Sequence, residues 1–121
     1  MKAAVIQALR SALETERDRL TAEIEAYERD GLESISDVSG ENNYRDHIAD
    51  QGSATFAREL DMTLEVQARE SLAQVERALG RMDEGTYGVC ARCGATIPVE
   101  RLEAMPEAEL CLSCKEREES A

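Results

Sequence analysis

Four cysteines arranged as two close pairs place the strongest constraint on how this chain can fold. Cys90 and Cys93 are separated by two residues, and Cys111 and Cys114 repeat that gap after seventeen intervening residues. A two-residue gap lets both sulfurs of a pair reach one tetrahedral ion at about 2.3 Å, and the second pair completes the coordination. The spacing therefore predicts that all four thiolates bind one zinc ion.

The predicted zinc ion is structural, because four sulfur ligands leave no open position for a water molecule. Residues 86 to 117 contain few large apolar side chains. Zinc coordination, on the order of 10 kcal/mol in small fingers, is expected to stabilise them instead. Gly88 and Gly94 flank the first pair and suit turns whose N–H groups point at thiolates. The alternatives are two disulfides, a redox switch or an iron–sulfur cluster, and the reducing cytoplasm expected for this chain favours zinc.

Two segments that precede the cysteines have the apolar periodicity of long helices. They cover residues 3–29 and 55–83, without proline in either. The apolar positions are Val5, Leu9, Leu13, Leu20, Ile24 and Tyr27 in the first segment, and Phe56, Leu60, Leu64, Ala68, Leu72, Val75, Leu79 and Met82 in the second. Asp30-Gly31 is predicted to end the first helix. Residues 30–54, which include three glycines, are predicted to form a connector.

These features predict a mainly α fold. The two helices are expected to pack antiparallel as a long coiled-coil hairpin over residues 1–84, with the connector at its tip. A small four-cysteine zinc-finger module with a C-terminal helix is expected over residues 85–121, the helix beginning at Pro106 and carrying Cys111 and Cys114. A bundle of four helices formed by two copies is the alternative. The narrow apolar stripes favour the hairpin, and with it a monomer.

The charge of the chain limits its partners. It has 26 acidic and 14 basic residues and a formal net charge of −12. Direct DNA binding is not expected, because it requires a basic surface that releases counterions from phosphates. A basic surface or channel on another protein is the expected partner. No apolar run is long enough to span a membrane, and residues 1–10 lack a signal-peptide pattern, so we expect a cytoplasmic protein. No Ser/His/Asp or Cys/His arrangement indicates an enzyme.

The residues around the four cysteines form a second recognisable pattern. It reads Tyr87-Gly88-Val89-Cys90-Ala91-Arg92-Cys93-Gly94, followed by Ile97, Arg101-Leu102-Glu103-Ala104, Pro106 and Leu110-Cys111-x₂-Cys114-Lys115. This pattern resembles the DksA/TraR family of bacterial regulators that bind RNA polymerase. The segments Asp46-His47-Ile48-Ala49-Asp50 and Phe56-Ala57-Arg58-Glu59 resemble its Gram-positive-type branch.

The resemblance implies a non-catalytic transcription regulator. Members of this family insert the coiled-coil hairpin into the secondary channel of RNA polymerase, so that the tip approaches the active centre and the globular end rests on the channel rim. An alternative function is a zinc-stabilised adaptor whose hairpin binds a different protein partner. A thiol-redox protein or enzyme is a third possibility.

The resemblance also implies candidate tip residues. Well-known members carry two aspartates three residues apart, followed by an alanine two residues further on. Asp50 falls at the second aspartate, His47 at the first and Gly52 at the alanine, while Asp46 is adjacent to His47. From the sequence alone, Asp50 has a helix cap or a solvated acid as its alternative roles, and His47 a contact in a loop.

Some members form, together with polymerase, a binding site for the alarmone ppGpp. Its contacts are basic residues late in the second helix and in the zinc module. Lys115 matches one of them, and Arg101 is a further candidate for a contact with ppGpp or polymerase. Gln74 and Met105 stand where basic residues are expected.

Overall fold

The computed structural model describes residues 1–38 and 44–120, and the side chains of residues 1–30 and 56–120. The chain forms four helices in these ranges: α1 (Ala3–Val38), α2 (Tyr44–Glu84), α3 (Val99–Ala104) and α4 (Leu112–Ser120). An isolated antiparallel bridge joins Val89 to Thr96. The predicted mainly α fold is confirmed. None of the helices, over the residues described, is long and apolar enough to cross a membrane.

Both long helices extend further than predicted. α1 continues through Gly31 to Val38, and α2 begins at Tyr44 rather than at residue 55 and ends at Glu84. The predicted stop at Gly31 is wrong, because one glycine costs a helix only about 1 kcal/mol relative to alanine. Of the predicted connector 30–54, residues 39–43 lie outside the described ranges and the others belong to helices. Asp50 lies within α2, so the alternative that it caps this helix is wrong.

The chain forms two compact units, and each contains part of α1 and part of α2. The unit of residues 19–71 buries Leu20 and Ile24 of α1 and Ala68 of α2. Next to them Arg69 donates a hydrogen bond of 2.6 Å to the carboxylate of Glu28. Glu28, in the second half of α1, therefore pairs with Arg69, just past the middle of α2.

The other unit combines residues 1–18 with residues 72–121. Leu13 of α1 and Val75 of α2 are almost completely buried, and Arg10 forms an ion pair of 2.7 Å with Asp83. One hydrophobic cluster of this unit consists of Leu9, Cys90, Ile97, Leu102, Ala108 and Cys114, and Met82 of α2 packs against it. The cysteine module and the adjacent ends of the long helices thus share one core. The predicted domain boundary after residue 84, which coincides with the end of α2, stays a prediction.

Three residues of the predicted α2 stripe are not buried. Phe56, Leu60 and Leu64 are 68%, 47% and 36% exposed. Each step of four residues advances about 40° around a helix, so Phe56 lies about 120° around α2 from the buried Ala68. These apolar residues do recur every four positions, but the stripe that they form turns around α2 and leaves the face that carries the buried Ala68. The prediction that the whole stripe is buried is therefore wrong for these three residues.

Gly80 offers a test of helix stability within α2. A Cβ atom added at Gly80 meets nothing within 4 Å, and alanine is better than glycine inside a helix by about 1 kcal/mol. We expect Gly80→Ala to raise the free energy of unfolding by about that amount, measured by denaturation of the zinc-loaded protein followed by circular dichroism. Gly88→Ala is the contrasting control and should destabilise, because Gly88 has φ of 87° and its added Cβ would lie 2.8 Å from Met1 Cε. A lower stability of Gly80→Ala would contradict the prediction.

Candidate metal centre

The first cysteine pair lies in a tight turn that follows α2. The N–H of Cys90 donates to the carbonyl of Ala95 at 2.8 Å, and the N–H of Gly94 donates to the carbonyl of Cys90 at 3.0 Å. Gly94 adopts φ of 79°, a left-handed conformation that glycine accepts without steric cost. The N–H of Ile97 donates to the carbonyl of Gly88 at 2.8 Å and closes the base of the turn. The predicted glycine turns on both sides of the pair are present.

The second pair is positioned by α4. Cys111 precedes this helix, its carbonyl accepts the N–H of Lys115 at 3.0 Å, and Cys114 lies in the first turn. The predicted helix start at Pro106 is wrong, because Pro106 lies in a turn and α4 begins at Leu112. Proline suits the second position of a β-turn as well as the first turn of a helix, so its presence alone did not distinguish the two.

The short helix α3 between the pairs was not predicted. It follows Pro98 and has Glu100 in its first turn. Proline before a helix and an acid in the first turn are both start signals, so the pattern was available in the sequence. α3 places the fully buried Leu102 in the core beside the cysteines.

The four sulfur atoms converge on one point. They all lie within 4.8 Å of one another, and Cys93 Sγ is 3.7 Å from Cys111 Sγ. A tetrahedral zinc site with bonds of about 2.3 Å has sulfur–sulfur distances of about 3.8 Å. All four cysteines are free rather than disulfide-bonded. The donor set therefore fits one structural zinc ion, which is the cofactor of this protein.

The surroundings of the sulfurs differ from one ligand to another. Hydrogen bonds from the backbone N–H groups of Cys111 and Cys93 lower the pKa of Cys90 to about 5, against the opposing effect of its burial. Burial, followed by the thiol of Cys111, raises the pKa of Cys114 to about 12. A dication at the centre favours the thiolate form of every ligand. The backbone N–H groups thus stabilise negative charge at the site, and the metal makes ionisation of Cys114 favourable.

Tyr87 connects the first cysteine turn to the loop before the second pair. Its hydroxyl donates to the carbonyl of Pro106 at 2.9 Å, and burial raises its pKa to about 12. Tyr87→Phe is expected to lower the free energy of unfolding by about 1 kcal/mol, since it leaves this carbonyl without its donor. Denaturation of the zinc-loaded protein at neutral pH measures the change.

The same residue predicts a pH dependence. A group whose pKa is raised on folding contributes stability that is complete below its unfolded pKa and is lost as the pH rises. For Tyr87 this window runs from about 10, its unfolded value, to about 12. In an absorbance titration of the phenolates, Tyr87 should ionise last, at about pH 12, and Tyr87→Phe should abolish that last step. A wild-type titration in which all three tyrosines ionise together near pH 10 would contradict this.

The residues that sequence reasoning linked to ppGpp come together in one place. Lys115, Arg101, Gln74 and Met105 all line a cleft of about 170 Å³ between α2, α3 and α4. The remaining lining residues are Arg77, Glu107, Ala108, Glu109, Leu110 and Glu118. The cleft therefore contains three basic and three acidic side chains.

The candidate tip residues lie early in α2. The helix includes all four of them: Asp46, His47, Asp50 and Gly52. Their side chains lie outside the described part of the chain. Their predicted role stays a prediction.

An antiparallel pair of long helices followed by a module with four clustered cysteines defines a zinc-finger protein with a helical hairpin. Residues 85–120 match the family described as "Prokaryotic dksA/traR C4-type zinc finger". The RNA polymerase-binding transcription factor DksA of Caulobacter vibrioides is 31% identical over 107 residues, which cover 88% of this chain and 75% of that protein. The chain belongs to the DksA/TraR family.

Two further comparisons support this membership. The structure of transcription factor DksA2 from Pseudomonas aeruginosa matches 99% of this chain and 87% of its own, with a TM-score of 0.78 and 30% identity. General stress protein 16O of Bacillus subtilis is 41% identical over 90 residues, which cover 73% of this chain. The chain spans about half, 55%, of that relative's length. The similarity to Bacillus subtilis proteins fits the predicted Gram-positive-type branch.

Proposed function

We propose that the protein is a non-catalytic transcription regulator that binds RNA polymerase. The observation that carries this proposal is the 31% identity over 107 residues to an RNA polymerase-binding transcription factor. The fold match to transcription factor DksA2 over 99% of the chain supports it. The metal centre agrees with the absence of catalysis, because four sulfur ligands leave no coordination position for a substrate.

We further propose that the hairpin enters the secondary channel of polymerase with its tip foremost. Two observations support this mode of binding. Its two long helices have 36 and 41 residues, and the net charge of −12 suits a basic channel wall. Asp46, His47, Asp50 and Gly52 are the proposed contacts near the active centre. On this proposal the protein acts as a monomer in the cytoplasm, where it contacts polymerase and not DNA.

We propose that Lys115 and Arg101 contribute to the polymerase contact at the globular end. Arg101 also donates from Nε to the carbonyl of Leu110 at 3.2 Å. The cleft that they line contains as many acidic as basic side chains, whereas a polyphosphate requires an excess of positive charge. Regulation by this protein is therefore proposed not to require ppGpp.

Retention of purified core polymerase on the immobilised, zinc-loaded protein tests the proposal. Retention is expected, and transcription in a purified system should change when the protein is added, to the same extent with and without ppGpp. Absence of retention would contradict the proposal and favour the adaptor, whose partner is a different protein. Retention with an effect that depends on ppGpp would contradict only the proposal about the cleft.

The two lysines of the chain provide a matched pair of variants for the globular contact. Lys115→Glu is expected to weaken polymerase binding several-fold, because it replaces a positive charge that is proposed to contact polymerase with a negative one. Lys2→Glu makes the same change in charge outside the cleft and should leave the affinity close to that of the wild type. The dissociation constants of both variants, measured at two salt concentrations, check this prediction. Equal weakening by both variants would show an effect of net charge alone.

A further inference from the structure

The loop that leads into the second cysteine pair is bound by side chains from outside it. This loop, residues 105–110, connects α3 to Cys111. Arg81 of α2 donates from Nη2 to the carbonyl of Ala108 at 3.0 Å, and Arg77 of α2 donates from Nε to the carboxylate of Glu109. The donors from Tyr87 to Pro106 and from Arg101 to Leu110 complete the set. Four side chains thus bind four of the six residues of this loop.

The backbone of the same loop is tied to the first cysteine turn. The N–H of Ala91, the residue after Cys90, donates to the carbonyl of Glu109 at 2.8 Å. Glu109 therefore receives hydrogen bonds both from α2 and from the first metal-binding turn. A displacement of this residue would disturb both contacts and move the chain immediately before Cys111.

The four ligands differ in their access to solvent. Cys90 and Cys114 are only 2% and 3% exposed and belong to the hydrophobic cluster. Cys93 is exposed, and Cys111 is half-buried. A chelator can therefore approach the sulfurs of Cys93 and Cys111 more easily than the other two. Of these two ligands, Cys111 directly follows the loop of residues 105–110.

We propose that Arg81 and Arg77 are positioning residues that, through this loop, hold Cys111 as a metal ligand and so set the rate of zinc loss. Arg81 is suited to this role because it is half-buried and its Nε is screened from water, so that its guanidinium group lies inside the protein surface beside the carbonyl that it binds. Its guanidinium group is thus held by packing as well as by its bond to Ala108. Arg77, which is more exposed, makes the weaker contribution.

Transfer of zinc from the folded protein to an excess of a chromophoric chelator, without oxidant, measures this rate. Arg81→Met keeps much of the apolar packing but removes the donor to Ala108. It is expected to accelerate zinc loss about tenfold, because the partly buried carbonyl loses its partner. Arg77→Gln and Glu109→Gln should each accelerate it about two-fold, as befits a partly exposed ion pair. Zinc loss from the double variant Arg77→Gln/Glu109→Gln should be no faster than from either single variant, because both substitutions break the same ion pair.

Arg10→Gln is the matched control. It removes the ion pair between α1 and Asp83 in the same compact unit but makes no change in the loop, so zinc loss should match the wild type. Hydrogen exchange provides a second measurement: the amides of Met105 and residues 107–111 should exchange faster in Arg81→Met, while those of α1 should not. Wild-type rates of zinc loss in Arg81→Met with intact circular dichroism would overturn the proposal. So would equal acceleration by Arg10→Gln. If Arg81→Met does not fold, the Arg77 and Glu109 cycle decides, and additive effects there would overturn the proposal.

Discussion

Cys93→Ser is expected to lose the zinc ion and to unfold residues 86 to 120. The serine hydroxyl replaces a thiolate ligand and leaves three sulfurs, and metal binding in such modules contributes on the order of 10 kcal/mol to folding. That is comparable to the whole stability of a typical small domain, about 5–15 kcal/mol. Without the metal, the apolar cluster around Cys90 and Cys114 and the hydrogen bond from Ala91 to Glu109 are left to hold the two cysteine turns together, and neither replaces a contribution of that size.

The unfolding should extend beyond the cysteine module. Leu9 belongs to the same hydrophobic cluster as Cys90, and Val5 and Met82 pack against it. The ends of α1 and α2 that border the module should therefore loosen, whereas residues 19–71 form their own compact unit and should keep their helices. Helical circular dichroism is expected to fall in part and not to vanish.

Three measurements check this prediction: zinc stoichiometry, limited proteolysis, and hydrogen exchange resolved along the chain. Ser113→Ala is the matched control, because Ser113 is an exposed residue between Cys111 and Cys114 and should keep one zinc per chain. A full equivalent of zinc and unchanged protease resistance in Cys93→Ser would contradict the expected role of the metal.

The metal centre was the part most readily predicted from the sequence. The spacing of Cys90, Cys93, Cys111 and Cys114 acts through local geometry, because each pair must bring two sulfurs to one ion. The glycine turn at Gly94 follows from the same local constraint. Neither prediction needed knowledge of distant parts of the chain. Long apolar periodicity was similarly sufficient for the existence of both long helices.

The ends of the helices were harder to predict. A glycine such as Gly31 often directly follows the last residue of a helix. It ends the helix only where the chain after it turns away, and inside a helix it costs only about 1 kcal/mol relative to alanine. Pro106 resembles a helix start but lies in a turn. In both cases the local signal is compatible with two structures that differ little in free energy. Tertiary contacts decide between them, and they are not visible in the local sequence.

Contacts between distant segments were beyond sequence reasoning altogether. The packing of Leu9 near Cys90 joins residues that are far apart in the chain, and no periodicity in either segment indicates it. The same is true of Arg81 and the carbonyl of Ala108. The small number of large apolar side chains in residues 86 to 117 predicted that zinc stabilises the module, whereas the structure shows metal ligands and helix residues in one shared core. Zinc binding and the packing of Leu9 and Met82 in this core should therefore be thermodynamically linked.

The second large effect concerns function and depends on the proposed role of the tip. Asp50→Asn is expected to keep the affinity for core polymerase and to reduce the effect on transcription at least about tenfold. The substitution preserves the size of the side chain and removes its charge, and hydrogen bonds to charged groups contribute about 1.5–3 kcal/mol. Affinity should persist, because the proposed contact of the globular end is unchanged. Binding to polymerase and transcription in a purified system are the two measurements.

Asp46→Asn and the double variant show which carboxylate acts at the tip. If Asp46 substitutes for the aspartate that His47 replaces, Asp46→Asn should reduce the effect as well, and the double variant should have none. Asp61→Asn is the matched control, since it removes an exposed carboxylate further along the same helix and should behave as the wild type. Full activity of the double variant would exclude the tip carboxylates from the mechanism while leaving polymerase binding as a separate question. Loss of binding in Asp50→Asn would instead mean that this carboxylate contributes to docking, contrary to the division of roles between tip and globular end.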